Sequence, residues 1–201
     1  MWRLIRCSLL AVLAVLLGLR PLPATAADTA KLLGNLEASP PGWLPTLDKC
    51  PADVMPAHES SLDYSMEACA AAPEQCLRRC QAGNSNDCYA AALVLQEIRH
   101  TPISEALFLR ACALGVMSGC TNRAAGMDRP EGDACAIRTF QKGCDRDDPW
   151  ACTMIGFHLI RGTGIAKDRE RARRALSKSC RFGDDDPACE YAKRLLSEIG
   201  D

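Results

Sequence analysis

Cys80 and Cys88 stand eight residues apart, as do Cys112 and Cys120 and also Cys144 and Cys152, while Cys180 and Cys189 stand nine apart. A thiol can ligate a metal, act as a nucleophile or close a disulfide, and spacing helps to separate these uses. Zinc sites favour CxxC-like pairs and haem attachment needs CxxCH; the sequence contains neither. A pair of cysteines across a short helix–helix loop instead meets the Cα spacing that a disulfide requires. Closing so small a ring stabilises by about 2.5 kcal/mol in the chain-entropy model, and four such staples by about 10 kcal/mol as an upper figure. The expected staples are therefore Cys80–Cys88, Cys112–Cys120, Cys144–Cys152 and Cys180–Cys189. Cys50, Cys69, Cys76 and Cys135 lie outside them. Disulfides are expected here too, in any of three pairings, with Cys76 also readable as a small buried hydrophobe. No metal and no cofactor is expected.

Disulfides need an oxidising compartment. The N-terminus carries a matching address: Arg3 and Arg6, an uncharged apolar run from Cys7 to Leu19, the breakers Arg20, Pro21 and Pro23, and the small residues Ala24-Thr25-Ala26. This is the pattern of a signal peptide cleaved after Ala26. The apolar run is too short to span a roughly 30 Å hydrocarbon layer comfortably, and Cys7 precedes it where a lipidated cysteine would follow. Cleavage would leave 175 of the 201 residues and 12 of the 13 cysteines, an even number. It would remove three of 24 basic residues and none of 25 acidic ones, so 21 against 25 gives a charge of −4. That balance excludes a typical nucleic-acid binder, and no integral span is expected after cleavage. The expected location is periplasmic or secreted.

The elements that must hold the cysteines are helices in a repeat. The first member of each pair recurs at 80, 112, 144 and 180, steps of 32, 32 and 36 that indicate stacked supersecondary units. Gly83, Gly115 and Gly183 stand three residues after it, where a helix ends and the chain needs a left-handed residue; Asp147 takes the remaining place. Eight residues before it come the small Ala72, Ser104, Ala136 and Ala172; four before it come Cys76, Phe108, Phe140 and Leu176. Such a stripe lets helices approach while a bulky knob fills the groove. Pro149 and Pro187 suit a first helical turn behind Asp148 and Asp186, and Asp168 caps the helix from Arg169 to Lys178. Residues 58–201 therefore read as a helical repeat domain. Residues 27–57, with Pro40, Pro41, Pro45, Pro51 and Pro56, read as a mostly irregular tether in which Trp43 and Leu44 dock on the domain.

The segment Ile155-Gly156-Phe157-His158-Leu159-Ile160-Arg161-Gly162-Thr163-Gly164-Ile165-Ala166-Lys167-Asp168, followed by Ala172 and Ala175, resembles a Sel-1-like repeat. With a cysteine pair bridging successive helices, the region from about Ala72 to Leu196 is more similar to the Helicobacter cysteine-rich protein branch of that family. The third unit fits best. The first two lack Gly-x-Gly and show only His100-Thr101-Pro102 and Gly126-Met127-Asp128-Arg129-Pro130, so shorter inter-repeat loops are expected there, and Leu159 replaces the usual aromatic. The resemblance implies an all-α, right-handed α/α solenoid of about four helix pairs, used as a protein-binding scaffold. It also implies an alternative, a penicillin-binding or β-lactamase-like hydrolase.

Catalytic signatures do not support that alternative. Ser-x-x-Lys, Lys-Thr-Gly, GxSxG, HExxH and His-x-His are missing, and Gly162-Thr163-Gly164 lacks the ending of a phosphate-binding loop. His58, His100 and His158 are scattered, and the Cys152 thiol beside His158 is committed to a staple. The run Arg169 to Lys178 reads as a solvated face, with anionic lipid or wall polymer as the alternative; Asp184-Asp185-Asp186 reads as a capped acidic turn, since it lacks the alternating ligands of a calcium loop. The function expected is therefore an exported repeat scaffold for an unidentified protein, or a cell-wall component, in the envelope or outside the cell. In such stacks the first helix of each pair generally lines the concave face, and its outward candidates, Tyr89, Asn122, Trp150 and Phe157, are the expected contact residues; Trp and Tyr are frequent in binding hot spots, with core packing as the other reading.

Overall fold

The computed structural model describes residues 23–130 and 132–199, and among these every regular element is a helix. Most of the expected leader, residues 1–22, lies outside the described residues. Two helices precede the repeat region: α1 (Ala26–Ala38) and α2 (Pro51–Val54). Then follow α3 (Met66–Ala71), α4 (Pro73–Gln81), α5 (Ser85–Ile98), α6 (Pro102–Ala113), α7 (Met117–Met127), α8 (Ala134–Asp145), α9 (Pro149–Arg161), α10 (Arg169–Lys178) and α11 (Pro187–Ile199). None is long and apolar enough to cross a membrane.

From α4 to α10, each helix packs chiefly on its neighbours in sequence, and α11 reaches back to α9 as well as α10. The repeat stripe explains why. Cys76, Phe108, Phe140 and Leu176 are fully buried, as are the small residues Ser104, Ala136 and Ala172. Ala111, Ala124, Ala151 and Ala192 fill the remaining close approaches without side-chain bulk. Loop geometry is equally regular. Gly83, Gly115 and Gly183 have φ of 99°, 102° and 116°, and Asp147 adopts φ 60° at the fourth site. At each, the amide donates to the carbonyl of the first cysteine of its pair, which closes the helix end. Asp148 and Asp168 then cap the following helices by accepting from the Ala151 and Arg171 amides.

Those loops bring helix end and helix start together. Cα separations are 4.5 Å for Cys80–Cys88 and Cys112–Cys120, and 4.4 Å for Cys144–Cys152 and Cys180–Cys189, all four disulfide-bonded. The other four cysteines form Cys69–Cys76, joining α3 to α4, and Cys50–Cys135, joining the start of α2 to α8 across 85 residues.

One expectation about the connecting segments needs correction. Residues 27–57 are not mostly irregular, because α1 occupies Ala26–Ala38. The stretch from Ala26 to Ser39 contains no proline, Asp28 stands in the first turn, and Leu33 is buried against the repeat helices; Thr25, which forms a capping box with Asp28 in the full chain, belongs to the expected leader. The prolines act only beyond it. The α5–α6 connection, 99–101, and the α7–α8 connection, 128–133, are both shorter than 162–168 between α9 and α10, as expected, the second by a single residue. His158 ties the latter two loops together: its Nε2 meets Asp128 Oδ2 at 2.9 Å and its Nδ1 meets Thr163 Oγ1 at 2.8 Å, with the ring stacked on Phe140.

Residues 39–65 form a strap laid over the helices. Arg110 donates to Trp43 O and places its guanidinium 5.0 Å from the Trp43 ring centroid. Arg123 donates to Leu47 O, Lys142 to Ala52 O and Arg146 to Pro56 O, at 3.1, 2.9 and 2.8 Å. The strap then turns back. Ser60 donates through its amide to Gly115 O and through its hydroxyl to Leu114 O, and Asn86 both accepts from the Asp63 amide and donates to Ser61 O.

Candidate functional site

The return leg of the strap forms one wall of a groove of about 450 Å³. Leu62 and Tyr64 come from the strap, Trp150 from the first turn of α9, and Phe182 from the α10–α11 loop. Five large hydrophobic side chains are exposed among the described residues, and these four are among them, at 50%, 39%, 40% and 67%. The fifth, Ile98, does not line the groove. Apolar side chains gathered in this way, beside polar ones, make the groove a candidate interaction surface, as singly scattered ones would not.

Beneath the aromatic residues lies a polar floor. Tyr64 meets the Tyr89 ring edge-on with centroids 4.9 Å apart, and Tyr89 in turn packs on Phe108. Burial pushes the Tyr89 phenol well above its ordinary pKa, so it stays protonated, and its oxygen accepts from Asn122 Nδ2 at 3.1 Å. Asp148 accepts from Ser118 Oγ and Thr121 Oγ1, both at 2.9 Å, and from the Ala151 amide at 2.8 Å. Burial is the largest influence on its carboxyl and raises the pKa, outweighing those three hydrogen bonds. At the rim, Arg181 stacks on Phe182 at 4.8 Å and pairs with Asp147 at 3.5 Å.

The four expected contact residues thus separate. Trp150 is an exposed wall of the groove. Tyr89 lines its base but is only 7% exposed under Tyr64, and Asn122 serves Tyr89 from behind. Phe157 is elsewhere, half-buried against α10 and α11 near Leu176 and Leu195. Leu62, Tyr64 and Phe182 carry no periodic signal, since strap and loop stand outside the repeat. A periodic signal does exist for the cations. Arg78, Arg110, Lys142 and Lys178 all stand two residues before the first cysteine of a pair, and the last three reach backbone carbonyls of the strap or of the preceding staple.

Of the serines that line the groove, Ser118 donates to Asp148 and Ser60 to Leu114 O, and no histidine, lysine or cysteine lines it beside them or Ser61. Cys180, Asp184 and Cys189 cluster elsewhere, but both sulfurs are joined to each other and so are not thiolate ligands. No family model, curated protein or solved structure matches the chain.

Proposed function

We propose that this chain is an exported, disulfide-stapled scaffold, a right-handed α-solenoid of the Sel-1-like kind, that binds another polypeptide through the aromatic groove. The observation that carries this reading is the convergence of Leu62, Tyr64, Trp150 and Phe182 on one concave surface. A Trp, a Tyr and two Arg, Arg146 and Arg181, at the same groove supply the residue types that dominate binding hot spots. The repeat period and the Gly162-Thr163-Gly164 segment support the Sel-1-like assignment. The six disulfides and the apolar leader sequence support an oxidising destination, periplasmic or extracellular.

The test is capture of partners from that compartment by the wild-type protein and by Trp150→Ala and Phe182→Ala variants. Both side chains are exposed, so folding should be retained. The expected result is loss of the same captured species with each variant, corresponding to about 2 kcal/mol or more per hot-spot side chain. Retention of every species by both variants would exclude the groove.

A further inference from the structure

A second surface carries an inference independent of the aromatic groove. Successive repeats present equivalent grooves, each bounded by two of the helices that lead into the first cysteine of a staple, and the chain fills the first two with its own strap. Between α4 and α6, Trp43 and Leu44 pack onto the cluster that contains Leu77 and Ile103. Between α6 and α8 sits α2: Cys50 is bonded to Cys135, the Ala52 amide donates to Thr139 Oγ1, Lys142 donates to Ala52 O, and Arg138 pairs with Asp53 at 2.7 Å. The third groove, between α8 and α10, is an open cavity of about 300 Å³. The strap does not enter it, having turned back after Pro56.

The repeat register tells what the third groove would hold. Cys135, Arg138, Thr139 and Lys142 lie nine, six, five and two residues before Cys144; the same distances before Cys180 select Arg171, Arg174, Ala175 and Lys178. All four of these line the cavity, over a floor that includes Ile155 and Leu159. The salt-bridging arginine is kept, as is the carbonyl-binding cation, which is already turned inward on Cys144 O. The hydroxyl that held an amide has become a methyl, and the cysteine that fixed the strap covalently has become a second arginine. Neither Arg171 nor Arg174 makes an ion pair among the described residues. The site is the strap-binding groove with its covalent anchor exchanged for positive charge.

We propose that the α8–α10 groove docks a short acidic segment of a partner polypeptide, held as the chain holds its own Pro51–Asp53. A small apolar residue sits on Ala175, a backbone carbonyl accepts from Lys178, and the next residue's carboxylate meets Arg174 and Arg171. Charge complementarity selects the occupant: Arg171, Arg174 and Lys178 stand against one lining acid, Asp145, and although Lys178 already pairs with Asp147, Arg171 adds a cation where the filled groove has Cys135, so an acidic peptide fits better than an apolar one.

The probe is a fluorescein-labelled peptide of residues 47–55 carrying Cys50→Ser, titrated against the intact protein by anisotropy. In that protein the Cys50–Cys135 bond keeps the second groove filled, so the peptide reports the third. Saturable binding is expected, weakened about fivefold by Arg174→Glu in the protein or by Asp53→Asn in the peptide, the size of one partly exposed ion pair. Arg78→Glu, an equal charge change at an exposed position of α4, should leave it unchanged. The proposal is overturned by no saturation up to about 1 mM peptide, or by equal losses with Arg78→Glu and Arg174→Glu. Self-association in sedimentation that Arg174→Glu abolishes would also overturn it, by seating a second copy in the groove. Matched thermal melts confirm that both variants are folded.

Discussion

Asp148 shows how one side chain can serve fold and site together. It caps α9, collects two hydroxyls from α7, and lies beneath the aromatic groove. Burial holds its carboxyl above the ordinary value of 3.8, so the folded state binds the proton more tightly than the unfolded chain. The resulting stability is complete below the ordinary value and is lost as pH rises through the folded one. Asn keeps an acceptor for the Ala151 amide and cannot ionise. The melting temperature of wild type minus that of Asp148→Asn should therefore be greatest in acid and fall as pH rises; a difference that grows with pH would refute the assignment. Asp148→Ala, which leaves Ser118, Thr121 and the helix end without their acceptor, should cost about 2 kcal/mol at neutral pH and more in acid, measured by denaturant unfolding.

At the scale of elements, the repeat was legible in the sequence and the strap was not. Cysteine spacing, the small-and-large stripe and the glycines after each helix are local constraints repeated four times, so the register shows without any tertiary knowledge. The strap follows no period. Its five prolines read as an irregular tether docked only at Trp43 and Leu44, whereas its carbonyls are what Arg110, Arg123, Lys142 and Arg146 hold. For the same reason Leu62 and Tyr64 could not be placed at a site, and Tyr89 reads as a contact until Tyr64 is known to cover it. Gly115 joins the two kinds of element. An added Cβ there would lie 2.8 Å from Ser60 Oγ and 2.9 Å from Ser60 N, whereas Gly83, at nearly the same φ, has open space around it. Alanine at either position bears the left-handed penalty of about 1–2 kcal/mol. Gly115→Ala should lose about 1 kcal/mol more, and cleavage between residues 56 and 65 under limited proteolysis should accelerate only in that variant. Equal stabilities and equal cleavage would show that the strap does not depend on the loop.

Across the whole molecule, the disulfides divide into two kinds of work. Five close rings of seven to nine residues and act within one turn or one connection. Cys50–Cys135 closes 85 residues and fixes the strap against α8, so it contributes about 4 kcal/mol in the chain-entropy model once the shorter bridges inside its loop are discounted. Its loss should also act differently in space. Cys80→Ser with Cys88→Ser should lower stability by about 2.5 kcal/mol while leaving strap protection close to wild type relative to the global value. Cys50→Ser with Cys135→Ser should instead raise amide hydrogen exchange across residues 43–63 before the repeat helices open. It should also free the second groove, so that the labelled peptide of residues 47–55 binds with a stoichiometry of about two in place of one. One equivalent in both proteins, with unchanged exchange in the strap, would mean that the polar contacts of Arg123, Arg138 and Lys142 hold the strap unaided. The covalent tie would then serve stability alone, and access to the grooves would be governed by charge.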